Sequence, residues 1–160
     1  LGADSLDDCH IQMSCSRFGK PLSDVMDHIL NDEGLEAFNE VCHAAAKIPD
    51  RDLDKFTAAV LYANADTSCE VCRIAESLEL FEYAPGVRDA NNLGAWWLEN
   101  KMDCSLPYEI DEFFDYAGYG ESIVENNDGE FVAGLGFVCM EEGYTLEDVL
   151  QNTDQGMGGM

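Results

Sequence analysis

Apolar residues in the first half of the chain recur every three to four positions, which is the spacing of one face of an amphipathic helix. Gly34 follows the first such helix, and Pro49 ends the second. Asp50 can cap a third helix, and Asp66 or Thr67 a fourth. The apolar positions of the four predicted helices are Leu22, Val25, Met26, Ile29 and Leu30; Leu35, Phe38, Val41, Cys42 and Ala45; Leu53, Phe56, Ala59 and Val60; and Val71, Ile74, Ala75 and Leu78.

Strands are predicted in three places. Residues 9–15 alternate weakly between apolar and polar positions, and residues 79–83 form a short run that enters a Pro-Gly turn. Residues 121–139 have the pattern of strand, turn and strand. The Asn-Asn-Asp-Gly sequence at 126–129 supplies that turn, and residues 130–139 form the return strand.

Short helical segments are predicted between and after these strands. The first holds a pair of Trp residues, the second is rich in both acids and aromatics, and the third lies near the end of the chain. They are a helix with Leu93, Trp96 and Trp97, a segment opened by Leu106–Pro107 with Ile110, Phe113 and Phe114 apolar, and a helix capped by Thr145.

Together these elements predict an α+β fold that is mostly helical, with two small lobes and short antiparallel strands. We expect a helical α+β lobe at 1–86, an acidic α+β lobe at 87–150 and a flexible tail at 151–160. The chain begins with Leu1 rather than Met, so we expect that its natural start was processed or cut away and that residues upstream are missing.

Charge is the most unusual property of the chain. The net charge is −25 on 160 residues, and the last basic residue is Lys101. Fourteen Asp and Glu residues follow it, and no Lys or Arg does. Self-repulsion at this density costs stability. Eight scattered basic residues form no cluster, which argues against binding to nucleic acid or to an anionic membrane.

The remaining composition is that of a globular protein without a membrane anchor. Hydrophobic residues make up 46% of the chain, so a core can form and a disordered acidic chain is not expected. No apolar run of transmembrane length and no signal peptide is visible. Seven cysteines are widely spread, which predicts reduced thiols and a cytoplasmic location.

Motifs for catalysis or metal binding are weak. Cys69-x-x-Cys72 could be half of a zinc site or a redox pair, but a zinc site needs two more ligands, and helical spacing favours core packing for both cysteines. Residues 124–135 lack the first and last oxygen ligands of a calcium loop. Asp111 and Asp115 fall one turn apart on a predicted helix, in environments too alike for paired acid–base work. We expect no enzyme activity, no metal and no cofactor.

Glycine pairs give no further sign of a nucleotide-binding loop. Gly118-Tyr119-Gly120 and Gly134-Leu135-Gly136 lack a third glycine and a Gly-Lys-Ser/Thr sequence. We interpret them as strand bends and a helix end.

Three readings of the acidic residues remain. A solvated face and adaptation to high salt would both spread acids widely, and 19 acids do lie in the first 101 residues. All eight basic residues lie there too, so the final stretch is one-sided. This asymmetry favours a surface directed at a basic partner, such as a DNA-binding protein that accepts the chain in place of DNA.

Residues 108–120, YEIDEFFDYAGYG, resemble the most distinctive stretch of the ArdA antirestriction family, with the match over Phe114 to Gly120. The family usually continues with a basic residue, whereas this chain has Glu121. Residues 35–62 resemble the family's helix pair, and residues 77–100 its linker into the last domain. The likeness covers about residues 20–140.

The resemblance implies a non-enzymatic DNA mimic, carried by phages and mobile elements, that occupies the DNA-binding groove of a type I restriction-modification enzyme. It also implies an elongated molecule and a tendency to form homodimers. The family's usual first domain is not visible here, and the helix capped by Thr145 extends past its usual end. Candidate contacts, chosen by position, are Asp111, Glu112, Asp115, Glu121, Glu125, Asp128, Glu130, Glu141 and Glu142.

Two alternative functions would also depend on the negative charge of the chain. One is an inhibitor of a CRISPR effector or of another DNA-binding protein. The other is a chaperone-like module that shields basic proteins. Identification of the protein captured from a host lysate would separate the three classes of partner.

Overall fold

The computed structural model describes residues 19–150. The strand predicted at 9–15 and the tail predicted at 151–160 lie outside the described residues. No helix within residues 19–150 is long and apolar enough to cross a membrane.

The first half forms the four predicted helices: α1 (Lys20–Glu33), α2 (Leu35–Ala46), α3 (Leu53–Tyr62) and α4 (Ser68–Glu76). Gly34, at φ +98°, separates α1 from α2 and donates its N–H to the Leu30 carbonyl at 3.1 Å. Asp50 begins a 3₁₀ turn that leads into α3. The Thr67 hydroxyl accepts the Glu70 N–H at 3.3 Å and caps α4. The four helices and the Thr67 cap are confirmed, and each helix buries an apolar face. The cap predicted at Asp50 is wrong, because the 3₁₀ turn that starts there places Asp52 at the N-cap position of α3.

The rest of the described chain contains all three strands and three helices, followed by a short helical segment. They are β1 (Phe81–Pro85), α5 (Ala90–Asn100), α6 (Tyr108–Asp111), α7 (Tyr116–Asn127), β2 (Glu130–Val132) and β3 (Gly136–Met140). Residues 146–150 are helical. The Thr145 N–H bonds the Asp148 carboxylate at 2.7 Å, and the Thr145 hydroxyl accepts the Asp148 N–H at 3.3 Å. This reciprocal cap confirms the predicted helix start.

The three strands form one antiparallel sheet in the order β1-β3-β2. β1 starts two residues later than predicted because residues 78–80 form a 3₁₀ turn. The α+β class and the predominance of helix are therefore confirmed. β3 pairs with β1 from the first predicted lobe, while the division at residue 86 stays a prediction.

The strand predicted at the start of 121–139 is wrong, because this stretch continues α7 to Asn127. Asp128 ends the helix in the left-handed conformation, with φ 51°. The Gly129 N–H then bonds the Val124 carbonyl at 3.1 Å. The Asn-Asn-Asp-Gly sequence thus terminates a helix rather than joining two strands.

The single return strand predicted at 130–139 is also wrong. Residues 133–135 form a turn in which Gly134 has φ +79°, a backbone conformation that L side chains rarely adopt. β2 and β3 pair with each other across this turn. The predicted single strand is therefore a tight hairpin of two strands.

Two apolar clusters lie on opposite faces of the sheet. Val138 and Met140 point into the cluster made with the first four helices, whereas Phe137 and Cys139 point into the cluster with α5 and α7. Phe81 of β1 joins the first cluster. The side chains of β3 thus complete both parts of the core.

Glycine allows α5 and α7 to approach closely. A Cβ on Gly120 would lie 1.8 Å from the Ala90 carbonyl oxygen, and one on Gly94 would lie 2.2 Å from the Tyr116 carbonyl oxygen. The interpretation of this glycine pair as a helix end is correct for Gly118, which lies in the first turn of α7 and donates its N–H to Asp115. It is wrong for Gly120, which lies inside α7 and permits the backbone contact with α5.

Candidate functional site

The nine predicted contact residues all lie within the described part of the chain. Glu141 is half-buried, and the other eight are exposed. They occupy three regions of the second half, namely the end of α6 with the turn into α7, the outer face of α7, and the base of the β2–β3 hairpin with the loops beside it.

The first region contains Asp111, Glu112 and Asp115. α6 ends at Asp111, and Asp115 precedes α7, so the prediction that Asp111 and Asp115 share a helix is wrong. Asp111 accepts a hydrogen bond from the Tyr116 hydroxyl. That bond is the main cause of the raised pKa of Tyr116, with burial and the Asp111 charge contributing less.

Asp115 is both a predicted contact and the N-cap of α7. Its Oδ1 accepts the Gly118 N–H at 2.9 Å. A carboxylate at this position also interacts favourably with the positive end of the helix dipole. Asp115 therefore has a structural role in addition to the partner role predicted for it.

Glu121 and Glu125 lie four residues apart on the exposed outer face of α7. The opposite face contacts α5 and buries Ile123. Like charges at this spacing repel each other by a few tenths of a kcal/mol, about 0.2–0.5. The helix thus holds two carboxylates in solvent with no basic residue beside them in its own sequence.

The third region surrounds a cavity of about 550 Å³ lined by Asp128, Glu130, Glu141 and Glu142. Tyr62 also lines it and donates its hydroxyl to the Asp128 carbonyl at 2.8 Å. Burial, followed by the negative charge of Asp128, raises the pKa of Tyr62 to about 12. The fold thus brings together four of the predicted contacts around one concave surface.

Glu141 differs from the other predicted contacts because the protein itself partly neutralises it. Lys101 lies 3.0 Å from a Glu82 carboxylate oxygen and 3.7 Å from one of Glu141. A hydrogen bond with Glu82, and then burial, raises the pKa of Glu141. Burial opposes ionisation of Glu82, but hydrogen bonds with Glu141 and Lys101 outweigh it and lower the pKa of Glu82. Glu141 is therefore the least available of the nine.

The cysteine prediction is correct in part. Cys42 is buried and Cys72 half-buried against the core. Burial, followed by the nearby Glu40, raises the pKa of Cys72 to about 11. Cys69 is exposed, so core packing is wrong for that residue. It lies on the outer side of α4, three positions before Cys72. Within residues 19–150, no three His, Cys, Asp or Glu side chains cluster as metal ligands would.

Sequence reasoning missed a larger cavity, of about 680 Å³, between the first-half helices. Its lining combines His43, Lys47 and Lys55 with acids that include Glu40 and Glu76. These residues come from separate helices, so no local sequence pattern could have indicated that they meet. The mixture of charges gives the cavity no single preferred ligand class.

Sequence reasoning also missed exposed apolar residues around α6. Tyr108, Ile110 and Phe113 were predicted as apolar positions of a segment or left unassigned, and all three face solvent. The signal in the sequence is their alternation with acids over 108–113, which fits neither a helical nor a strand period.

A scan against protein-family models and searches of curated proteins and of solved structures found no match to this chain. The resemblance to the ArdA family consequently stays a prediction that depends on the residues quoted above.

Proposed function

We propose that this protein is a DNA mimic that occupies the DNA-binding groove of a type I restriction-modification enzyme and blocks its activity. The observation that carries the proposal is the one-sided charge of the second half. Fourteen acids follow Lys101 without a basic residue, and eight of the nine candidate contacts are exposed.

The physical mechanism is replacement of phosphates by carboxylates. A DNA-binding groove is lined by Lys and Arg spaced for phosphates, and carboxylates at similar spacing can satisfy the same cations. Release of counterions then favours association. Duplex DNA carries one charge per ~1.7 Å of helix axis, so 25 charges correspond to about 42 Å of duplex.

The mechanism needs no chemical step by this chain. The mimic presents no base edge, so its inhibition should not depend on the recognition sequence of the enzyme. Negative charge on the outer face of α7 and in the α6–α7 turn would attract the groove more strongly than Glu141 does, because Lys101 partly neutralises Glu141.

The test is a variant that removes four charges with little change of shape, namely Asp111→Asn, Glu112→Gln, Asp115→Asn and Glu121→Gln. Each exposed ion pair contributes only about 0–1 kcal/mol, so a single substitution should have little effect. The four together should weaken inhibition by about tenfold or more, since their losses add. Asn at 115 retains the cap of α7, and Asn at 111 retains an acceptor for the Tyr116 hydroxyl.

The matched control is Asp27→Asn, Asp32→Asn, Glu76→Gln and Glu79→Gln. These four residues are exposed on the first half, and the variant has the same net charge as the test variant. If the control variant still inhibits the enzyme and the test variant does not, the result would support a specific acidic contact surface in the second half. Equal inhibition by a folded test variant and wild type, over a range of salt concentrations, contradicts the proposal.

A second assay measures direct binding to DNA. No mobility shift of random duplex is expected at low salt, because the chain has no basic patch. A stable complex with naked DNA would contradict mimicry. The same inhibition assay with a CRISPR nuclease tests the alternative target.

A further inference from the structure

Four large apolar side chains around α6 face solvent. Tyr108 is 86% exposed, Phe113 78%, Met102 58% and Ile110 52%. We call these four residues the α6 apolar patch. Four large, exposed apolar side chains within the short stretch 102–113 are unusual on the surface of a monomeric protein.

Packing within the protein does not account for this exposure. Phe114, the neighbour of Phe113, does pack internally, with its ring centroid 4.8 Å from that of Tyr116 and 5.8 Å from that of Tyr119. The segment can therefore direct an aromatic ring inward, yet it directs Phe113 and Tyr108 outward. A binding role explains the outward direction better than a folding role.

Carboxylates interleave with the α6 apolar patch along the chain. Glu109, Asp111 and Glu112 alternate with its members and are exposed, and Asp103 follows Met102. A partner that covers the apolar side chains must also place its own groups beside these carboxylates. Charge complementarity therefore requires basic residues around an apolar centre on the partner.

We propose that the α6 apolar patch is the anchor by which this protein docks on a basic protein surface that has an apolar depression at its centre. The inference rests on the proposed function and adds to it. Carboxylates would supply attraction to any DNA-binding groove, whereas the apolar anchor selects the partner that has a matching depression.

A second copy of the chain does not fit the same surface. A two-fold contact through the patch would place the flanking carboxylates of one copy against those of the other, with no basic residue after Lys101 to separate them. Lys101 itself contacts Glu82 and Glu141. Like charges held directly opposite each other oppose association.

The chain's own ends do not fit either. Residues 1–18 contain three Asp and one Arg, and residues 151–160 contain one Asp and no basic residue. Both segments are acidic, so neither matches the carboxylates beside the patch. A basic partner protein is the occupant that satisfies both the apolar and the charged groups.

The test compares binding of a purified type I restriction-modification enzyme to four proteins over a series of NaCl concentrations. They are wild type, a patch variant (Tyr108→Ser, Ile110→Ser, Phe113→Ser), the test variant above with Asn or Gln at 111, 112, 115 and 121 (the fourfold amide variant), and a control, Leu35→Ser. Leu35 is 38% exposed and lies on α2, away from the patch.

The patch variant should bind about tenfold more weakly or worse at every salt concentration, with the salt dependence of wild type unchanged. The fourfold amide variant should instead show a reduced salt dependence, because it has lost charge and kept the anchor. Leu35→Ser should bind as wild type does.

Several results would overturn the inference. Equal binding by the patch variant and wild type would overturn the docking inference and leave the proposed function intact. If wild type does not bind the enzyme, both the inference and the proposed function are wrong. Self-association of wild type in sedimentation equilibrium that the patch variant lacks would assign the patch to a second copy. Chemical cross-links between residues 108–113 and either 1–18 or 151–160 in the free chain would assign it to a terminal segment. If the patch variant does not fold, Phe113→Ser alone serves the same comparison.

Discussion

At the scale of single residues, the acidic side chains are not equivalent. Eight of the predicted contacts are exposed, as expected for charged carboxylates. Glu141 instead shares Lys101 with Glu82. The sequence could not predict this arrangement, because Lys101 lies 40 positions from Glu141 and the two side chains meet only in the folded protein.

Glu141→Gln tests the interaction with Glu82. The pKa of Glu141 is raised above its ordinary value of 4.5, so its neutral form favours folding. That contribution is fully present below 4.5 and is lost as pH rises through the folded pKa. Gln stays neutral at every pH. We therefore expect the variant to be more stable than wild type at neutral pH, and the difference to shrink under acid conditions.

Thermal unfolding at a series of pH values measures this difference. Glu142→Gln is the control, because Glu142 is the exposed neighbour of Glu141 and carries the same charge. A stability gain in Glu141→Gln that does not change with pH would contradict the role assigned to the carboxyl proton.

At the scale of elements, local patterns predicted helices well where each helix buries a stripe of its own side chains. Leu22, Met26 and Ile29 of α1 are all fully buried, as their spacing indicates. α7 was partly missed because it packs on α5 through glycine backbone rather than through an apolar stripe. A backbone contact of this kind depends on both helices, so the sequence of α7 alone does not indicate it.

Gly120→Ala tests this backbone contact. In an isolated helix the change would stabilise by about 0.5–1 kcal/mol. Here the new Cβ would lie 1.8 Å from the Ala90 carbonyl oxygen, so α5 and α7 must separate. We expect the free energy of unfolding to fall by about 1–3 kcal/mol in urea titrations. Ser122→Ala, on the exposed side of the same helix, should change it by less than about 0.5 kcal/mol. A more stable Gly120→Ala protein would refute the close packing.

Substitutions of Asp115 test whether its predicted role in partner binding can be separated from its role as the N-cap of α7. Asp115→Ala should lower the free energy of unfolding by about 1 kcal/mol, because the Gly118 N–H loses its acceptor. Asp115→Asn should have little effect on stability, since Asn caps a helix about as well as Asp. Urea titration of both variants measures the difference, and equal loss in both would show that charge rather than the cap sets the stability.

At the scale of the whole molecule, the order of the predicted elements indicated a mostly helical α+β protein correctly but could not indicate how its halves join. β1 and β3 are more than 50 positions apart in sequence, and their pairing places Phe137 and Val138 on opposite faces of one sheet. The surface charge, in contrast, follows from the sequence directly, because nearly all of the carboxylates must stay in water.

This charge makes stability and partner binding respond to salt in opposite directions. Repulsion among the carboxylates of this chain, whose net charge is −25, opposes the folded state. Salt screens this repulsion, with a Debye length of about 10 Å at 0.1 M. The Tm of the free protein should therefore rise with NaCl, while affinity for the restriction-modification enzyme should fall, since binding releases counterions.

The two fourfold amide variants separate the net charge from its placement. Both change the net charge from −25 to about −21. Both should consequently melt at a higher temperature than wild type at low salt and gain less from added NaCl. Only the variant at residues 111, 112, 115 and 121 should lose affinity, because only its carboxylates lie on the proposed contact surface. Equal loss of affinity in both variants would show that net charge alone drives binding, and a Tm that does not respond to NaCl would show that self-repulsion does not limit the stability of this fold.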